Sequence, residues 1–266
     1  MNSGLLWVRS VRTICVAGAL ATSLPLFSKT PAAWSAAPQA SASKASATDF
    51  SECPEFFANQ QPPAVAPQPR LRALCYDAFA ILHSGSTKTP VYVAQRMNRA
   101  LVDDANEKRT NRFYADARLP QSERAELDDY KRSGYSRGHM APAGDMPTAQ
   151  AMAQSFSLAN MVPQSIAQNS GPWARIEQDT RRYARRAQGD VFIITGPVFD
   201  GDHATIGSNH VRVPSHLFKL VYDTQTHRAW AHWQANADQA TITRPISYQE
   251  LVKRTGIEFL PGVQVR

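Results

Sequence analysis

Three strand-like runs in the last third of the chain constrain its fold most strongly. The first is VFIITGPVF at residues 191–199, a β-branched run interrupted by Gly196 and Pro197. The other two, at residues 213–223 and 227–236, flank a short turn and so predict a hairpin. The chain must therefore build a sheet around these strands.

Helical segments lie among the strands without a regular alternation of strand and helix. TPVYVAQRM at residues 89–97 predicts a strand that leads into a helix. Residues 247–256 predict a short helix with Ser247 as its N-cap and Glu250 in a capping box, and residues 257–263 predict a last strand. This mixture indicates an α+β fold rather than a doubly wound parallel sheet.

Residues 1–37 have the composition of an export signal, with arginines ahead of an apolar run at residues 14–27 and small residues after it. The apolar run is shorter than the roughly 20 residues that a membrane span needs. We predict a cleaved signal peptide and a periplasmic or secreted protein without membrane association after cleavage; an uncleaved anchor or a disordered leader is the alternative. Cleavage would remove Arg9, Arg12 and Lys29 and no acid, so the formal net charge of +7 would become +4. This mildly basic balance suits a polyanionic partner without singling one out.

The composition changes again after the leader. Residues 38–70 are rich in small residues and proline, and they predict a flexible low-complexity N-terminal segment. One globular domain is predicted from residue 71 to residue 266. Cys53 and Cys75 remain as an even pair, which leaves open either a disulfide or two free buried thiols.

The segment YSRGHMAPAGDM at residues 135–146 sets His139 between Arg137 and a run of small residues and prolines. This composition predicts a loop. A neutral imidazole can accept a proton from water near pH 7, so His139 is a candidate general base.

A long helix is predicted from residue 169 to residue 190, with Ser170 as its N-cap. Asn169 and Glu177 lie eight positions apart, which would put the amide and the carboxylate on one side. An amide oxygen is sufficient for a Mg²⁺ ion that keeps most of its waters. The last turns carry a basic stripe that is either a solvated face or a phosphate-contacting surface: Arg181, Arg182, Arg185 and Arg186.

RGHMAPAGDM, followed about thirty residues later by NSGPWARIE, resembles the DNA/RNA non-specific endonuclease family. That family includes secreted bacterial nucleases and the mitochondrial endonuclease G type. The similarity extends from about Leu71 to the C-terminus and includes TGPVF and VPSHLFKLV. The resemblance implies a ββα-metal nuclease fold with a central antiparallel sheet flanked by helices.

The resemblance also assigns roles to individual residues. His139 matches the general base, Asn169 the single direct protein ligand of Mg²⁺, and Glu177 the carboxylate that acts through the water shell of the metal. The family motif usually begins with Asp, and here that position is Ser136. Serine keeps a hydrogen-bonding group but loses the charge, which bears on how the His139 segment is held and on metal preference.

Three arginines complete the expected site. Arg137 belongs to the same motif as His139, and Arg181 matches an arginine on the phosphate or leaving-group side. Arg112, in NRFYAD, stands where the family has an arginine that stabilises the transition state. Arginine suits these roles because its planar guanidinium holds phosphate oxygens in a bidentate fork.

The resemblance therefore predicts an Mg²⁺-dependent endonuclease, with Mn²⁺ as a substitute metal, that hydrolyses DNA and RNA to 5′-phosphate products. Many members are homodimers, so a homodimer is one expectation. The main alternative is a non-catalytic nucleic-acid-binding protein of the cell envelope. A phosphodiesterase or phosphatase for small substrates and an envelope interaction protein with a drifted motif are further alternatives.

Overall fold

A seven-stranded antiparallel sheet is the scaffold of the computed structural model, which describes residues 48–201 and 204–266. In chain order the strands are β1 (Leu71–Cys75), β2 (Ala80–Ser84), β3 (Thr89–Met97), β4 (Tyr135–His139), β5 (Met161–Ser165), β6 (Val191–Val198), β7 (Thr205–Ile206), β8 (Val211–Arg212), β9 (His216–Asp223), β10 (Arg228–Ala235) and β11 (Ile246–Ser247). The sheet has the order β1-β2-β3-β6-β9-β10-β11, whereas β4 pairs with β5 and β7 with β8. The predicted α+β fold with a central antiparallel sheet is confirmed.

Six short helices accompany the described strands. They are α1 (Arg99–Asp104), α2 (Leu127–Tyr130), α3 (Ala149–Ser155), α4 (Ile166–Gln168), α5 (Ala174–Arg186) and α6 (Tyr248–Thr255). A π-helical turn, Asn169–Trp173, joins α4 to α5. Single 3-10 turns lie at Pro54–Phe56, Ala58–Gln60, Gln121–Glu123, Ala143–Asp145 and Leu158–Asn160.

Helices cover both faces of the sheet. Successive side chains of a strand point to opposite sides, so each face presents apolar side chains that a helix can bury. Ile193 of β6 packs in one cluster with Ala184 of α5. Its neighbour Ile194 packs in another cluster with Leu251 of α6. Val162 of β5 packs in one cluster with Ile176 of α5, so the long helix and the small β4–β5 pair lie on one face and α6 lies on the other.

Part of the predicted flexible segment belongs to the core. The Phe50 and Phe57 rings lie 4.9 Å apart, and Phe57 meets the Tyr92 ring edge-on at 6.4 Å. A disulfide joins Cys53 to Cys75 at the end of β1, as one of the two sequence interpretations expected. Apolar burial and this cross-link hold residues 50–57 in place. The proline-rich composition of the neighbouring residues gave no sign of this order.

The predicted hairpin and the C-terminal helix are confirmed. Strands β9 and β10 pair in continuous antiparallel register. The Ser247 hydroxyl accepts a hydrogen bond from the Glu250 N–H at 3.1 Å, and α6 ends at Gly256 with a φ of 69°. Residues 257–263 do not form the predicted strand: their pairing is limited to a single bridge between Glu258 and Ala64.

The predicted signal peptide lies outside the described residues, as do residues 38–47. In the described part of the chain, no helix has both the length and the apolar character that a membrane span requires.

Candidate active site

Two short strands and the helical run after them place the predicted site residues. In the register of β4 with β5, His139 lies opposite Met161 and Arg137 lies opposite Pro163. The predicted loop is therefore a strand. Residues 135–139 form a strand because they pair with residues 161–165. The composition of residues 135–139 alone gives no sign of that distant partner.

Asn236 fastens this pair of strands to the large sheet. Its Nδ2 donates hydrogen bonds to the carbonyl oxygens of Pro163 at 3.0 Å and Pro214 at 2.9 Å. Its Oδ1 accepts a hydrogen bond from the backbone N–H of Ser165 at 2.7 Å. One side chain from the loop after β10 thus fixes the end of β5, where the helical run begins.

The helical run differs from the predicted helix at both ends. It begins at Ile166, so Ser165 caps it and Ser170 lies inside it. The π turn Asn169–Trp173 accommodates the proline within the run, and α5 ends at Arg186, four residues before the predicted end.

His139 lies in an aromatic box and is 7% exposed. The Phe156 ring stands edge-on to the imidazole at 5.1 Å, and the Phe113 ring lies at 5.8 Å. Nε2 of His139 is buried and has no hydrogen-bond partner among the described residues. Burial, reinforced by the charges of Arg109 and Arg137, lowers the pKa of His139 to about 3. The imidazole is therefore neutral at physiological pH and free to accept a proton.

The backbone on either side of His139 is fixed. A Cβ at Gly138 would lie 1.8 Å from Oε1 of Gln164, so only glycine fits beside β5 at this point. After His139, the buried Asn160 side chain binds both the N–H and the C=O of Ala141, each at 2.9 Å. The histidine is thus held between two rigid backbone positions.

Asn169 occupies the first position of the π turn, directly beside β4. It is half-buried, and its Nδ2 donates a hydrogen bond to the Ser136 hydroxyl at 3.1 Å. That hydroxyl donates in turn to the carbonyl oxygen of Gln164 at 2.9 Å. The amide is therefore oriented from the strand that also carries His139.

Glu177 lies in the first turn of α5 and remains partly open to solvent. Removal of water from around its carboxylate raises the pKa of Glu177 to about 7. Lys219 opposes this rise, and the negative charge of Asp145 adds to it. A carboxyl group in a cleft with a pKa near 7 is characteristic of a functional site.

Lys219, which the sequence interpretation missed, is a cation buried beneath this cleft with 1% exposure. Its Nζ donates to Oγ1 of Thr195 at 2.7 Å and lies 5.5 Å from the centre of the Trp173 ring. Burial lowers the pKa of Lys219, while Glu177 and Asp145 oppose the change. Its place among apolar residues in HLFKLV, with Leu217 and Val221 on the same face, was the available signal.

Arginines surround the site unequally. Arg137 stacks on Phe113 at 4.0 Å, and Arg109 lies over Phe156 at 5.1 Å. Arg109, also missed from sequence, acts electrostatically on both His139 and Glu177. Its neighbourhood depends on the tertiary fold, and no local pattern marks it.

The two remaining predicted arginines contrast with each other. Arg181 donates to Oδ1 of Asp145 at 2.8 Å and exerts its charge on Glu177, so it belongs to the cleft. Arg112 is exposed and makes no hydrogen bond or ion pair with any described residue. Its role stays a prediction.

The outer part of the basic stripe is a solvated face. Arg182 pairs with Asp179 at 2.9 Å, and Arg185 pairs with Asp103 at 2.7 Å. These four side chains are largely exposed. Exposed pairs of this kind contribute little to stability.

The donor chemistry of the cleft suits a hydrated hard cation. No group of three or more His, Cys, Asp or Glu side chains in the described residues could hold a metal. The amide oxygen of Asn169 and the carboxylate of Glu177 are hard oxygen donors, which Mg²⁺ accepts while keeping several waters.

The sequence profile of the DNA/RNA non-specific endonuclease family matches residues 62–266. The chain is 31% identical over 210 residues to the human protein "Nuclease EXOG, mitochondrial", covering 71% of this chain and 57% of that protein. The zebrafish (Danio rerio) protein of that name is 35% identical over 218 residues, covering 71% of this chain and 61% of the relative. The chain thus spans about three fifths of the EXOG relatives.

Human "Endonuclease G, mitochondrial" is 32% identical over 208 residues, covering 71% of this chain and 70% of that protein. Among solved structures, the chain resembles one described as "Crystal structure of the EndoG/EndoGI complex: Mechanism of EndoG inhibition". The TM-score is 0.65 at 21% identity, covering 73% of this chain and 88% of the other. This likeness supports the fold.

The predicted periplasmic or secreted location is wrong, because these relatives are mitochondrial nucleases and point to mitochondria instead. The error has a physical basis. Mitochondrial transit peptides, like export signals, are basic and poor in acidic residues. Arg9, Arg12 and the absence of Asp and Glu from residues 1–37 do not distinguish the two.

Proposed function

Since this chain belongs to the DNA/RNA non-specific endonuclease family, we propose that it is a metal-dependent endonuclease that hydrolyses phosphodiester bonds of DNA and RNA. The observation that carries the proposal is the neutral, boxed imidazole of His139 beside two arginines and the Asn169–Glu177 helix. A non-catalytic nucleic-acid-binding protein would not need a neutral histidine placed beside arginines and the Asn169–Glu177 helix.

His139 acts as the general base in this proposal. The imidazole is neutral at physiological pH, so a ring nitrogen is available to take a proton from the attacking water. The negative charge of a bound phosphate would raise the pKa of His139 from its low value in the free protein. Phe113 and Phe156 hold the ring and exclude water from its sides. Asn160 and Gly138 fix the backbone that carries it.

Asn169 and Glu177 would hold the Mg²⁺ ion, for which Mn²⁺ is the expected substitute. When bound, the ion supplies positive charge at the scissile phosphate and the departing O3′. Asn169 presents its amide oxygen directly, while Glu177 is assigned to the water shell of the ion. Lys219 favours the ionised carboxylate of Glu177 from beneath.

The arginines bind and neutralise the phosphodiester. Arg137 and Arg109 extend over the faces of the two phenylalanines, and Arg181 lies beside Glu177. Guanidinium groups contact phosphate oxygens, which carry charge but no base sequence. This supports cleavage of both DNA and RNA. Departure of O3′ would leave 5′-phosphate products, and Arg112 is retained as a candidate on the exposed loop.

The proposal includes an organisation for the whole chain. Residues 1–37 would be a cleaved leader, residues 38–70 a connecting segment whose later part packs into the core, and residues 71–266 the nuclease domain. A homodimer is also proposed, and light scattering of the purified protein tests it by a mass of two chains rather than one.

Cleavage of plasmid DNA and of a long RNA, with Mg²⁺ or with EDTA, tests the function. We expect degradation that requires the metal and that falls by several orders of magnitude in His139→Ala, with nucleic-acid binding retained. His216→Ala is the matched control, because His216 lies on β9 and its ring contacts Trp233 rather than the cleft. Binding without cleavage in Mg²⁺, Mn²⁺ and Ca²⁺ would contradict the proposal.

A further inference from the structure

The Ser136 hydroxyl lies between two polar groups with different requirements. On one side is the backbone carbonyl of Gln164, the residue opposite Ser136 in the β4–β5 register, at 2.9 Å. On the other side is Nδ2 of Asn169 at 3.1 Å. Ser136 is thus the link between the strand pair and the amide that the proposed function assigns to the metal.

The hydrogen count of this link determines which end of the amide faces Ser136. A hydroxyl has one hydrogen and two lone pairs. The Gln164 carbonyl can only accept, so it takes the hydrogen, and the lone pairs of Ser136 are left to accept. Only the nitrogen end of the Asn169 amide can donate to them.

The oxygen end of the amide consequently lies on the side away from Ser136. Oδ1 of Asn169 accepts no hydrogen bond from the described residues, and the side chain is half-buried rather than sealed in the core. An amide is asymmetric, and a cation binds only its oxygen end. Orientation therefore decides whether Asn169 is a ligand.

We propose that Ser136 is a positioning residue that holds the Asn169 amide with its oxygen available to a divalent cation. The inference rests on the proposed function and adds a role for the serine that replaces the usual acidic residue. A carboxylate at position 136 could accept from Nδ2 but could not donate to Gln164 when ionised. The neutral hydroxyl satisfies both partners without adding charge.

The test is the affinity of the purified protein for Mn²⁺, measured by calorimetry and by electron paramagnetic resonance without nucleic acid. We expect Ser136→Ala to weaken Mn²⁺ binding about fivefold, the effect of one lost hydrogen bond. Ser136→Thr, which keeps the hydroxyl, restores most of the affinity. Ser170→Ala is the matched control, since that hydroxyl donates to the Ile166 carbonyl and not to the amide.

A double-mutant cycle separates orientation from general support of the fold. In Asn169→Asp the two oxygens are equivalent, so no orientation is required. Adding Ser136→Ala to Asn169→Asp should then produce no further loss of Mn²⁺ affinity. An equal loss in both backgrounds would mean that Ser136 only supports the fold.

The outcomes distinguish this inference from the function on which it rests. Wild-type protein that cleaves in Mg²⁺ and a Ser136→Ala variant with unchanged Mn²⁺ affinity would overturn the positioning role alone. Wild-type protein that neither binds Mn²⁺ nor cleaves would overturn both. If Ser136→Ala unfolds, as its melting temperature would reveal, Ser136→Thr decides the question: a folded Ser136→Thr variant that binds Mn²⁺ as weakly as Asn169→Ala would overturn the positioning role.

Discussion

Two buried polar regions of this protein are built to opposite plans. Around Asp116, which is 4% exposed, the carboxylate accepts hydrogen bonds from Tyr76 at 2.5 Å and from the Arg118 guanidinium at 2.7 and 3.0 Å. Arg118 also stacks on the Tyr76 ring at 4.4 Å. Around His139 the neighbours are aromatic rings, and Nε2 has no described partner.

The difference separates a structural polar network from a reactive one. A buried network in which every group is paired stabilises a single arrangement, while an unpaired buried group costs stability. Other buried side chains here, such as Gln95 and Tyr130, also have an unpaired atom, so it is the surrounding arginines and helix that set His139 apart. The Asp116 cluster ties the end of β1 to the segment before α2, and the His139 cluster leaves hydrogen-bonding capacity for a reactant.

The largest expected effect comes from filling the aromatic box with an apolar side chain. His139→Leu should reduce plasmid cleavage by about a thousandfold, since general-base catalysis contributes about 10² to 10⁴ in rate. The free energy of unfolding in urea should not fall, because the substitution removes an unpaired buried nitrogen. A marked loss of stability would mean that His139 is a structural group like Asp116, and the contrast between the two clusters would fail.

The next largest expected effect is a change in stability with pH that results from the titration of Glu177. Its pKa of about 7 lies above the ordinary 4.5, so the folded protein holds a proton there that the unfolded chain releases. The contribution of Glu177 to stability is therefore present below about pH 4.5 and is lost as pH rises through 7. ¹³C NMR of the carboxyl groups, in metal-free protein, measures this directly.

The matched control for that titration is Glu123. Its hydrogen bond from Arg72 lowers the pKa of Glu123, so the two glutamates should titrate on opposite sides of the ordinary value. In parallel, wild-type protein should lose stability relative to Glu177→Gln between pH 5 and pH 8. If Glu177 and Glu123 titrated at the same pH, the electrostatic contrast between the proposed site and the paired structural groups would be lost.

Breaking the paired network should have a smaller effect, and on stability alone. Asp116→Asn should lower the free energy of unfolding by about 2 kcal/mol, because Arg118 and Tyr76 lose their charged acceptor. The substitution leaves the charge of Arg118 unneutralised, but this charge lies outside the cleft. Cleavage per folded molecule should therefore remain within about twofold of wild type. Asp103→Asn, which breaks the exposed pair with Arg185, is the control and should change stability by less than about 1 kcal/mol.

The smallest effect is expected on the exposed part of α5. Arg182→Ala removes a side chain paired with Asp179 and should change cleavage by less than about threefold at moderate salt. Arg181→Ala, one position earlier in the chain, should reduce cleavage far more, because that guanidinium lies against Asp145 beside Glu177. Equal losses in the two variants would assign the whole stripe to substrate binding.

Local signals predicted much of the scaffold. The β-branched run of β6 and the serine cap and terminal glycine of α6 carry their structure in neighbouring residues. The ββα arrangement was available from the resemblance, since the spacing of His139, Asn169 and Glu177 is a property of the sequence. These residues lie on β4, the π turn and α5, whereas the sequence predicted a loop for His139 and one long helix for the other two.

Non-local features account for what was missed. β4 is a strand because it pairs with β5, and residues 257–263 form no strand because their β-pairing among the described residues is a single bridge to Ala64. Arg109 and Lys219 reach the cleft through the tertiary fold, from a loop and from the inward face of a central strand. The leader misled because its charge pattern serves more than one destination.

Asn236, which fastens the end of β5, follows every proposed catalytic residue in the sequence. A growing chain contains every proposed catalytic residue once Arg181 has left the ribosome, yet Pro163 and Ser165 still lack the side chain that fastens them. Asn236→Ala in the full chain is therefore expected to loosen the β4–β5 pair and to weaken Mn²⁺ binding, and an unchanged Mn²⁺ affinity would refute this view. The β4–β5 pair is thus fastened only when residue 236 has joined the chain, 55 residues after Arg181.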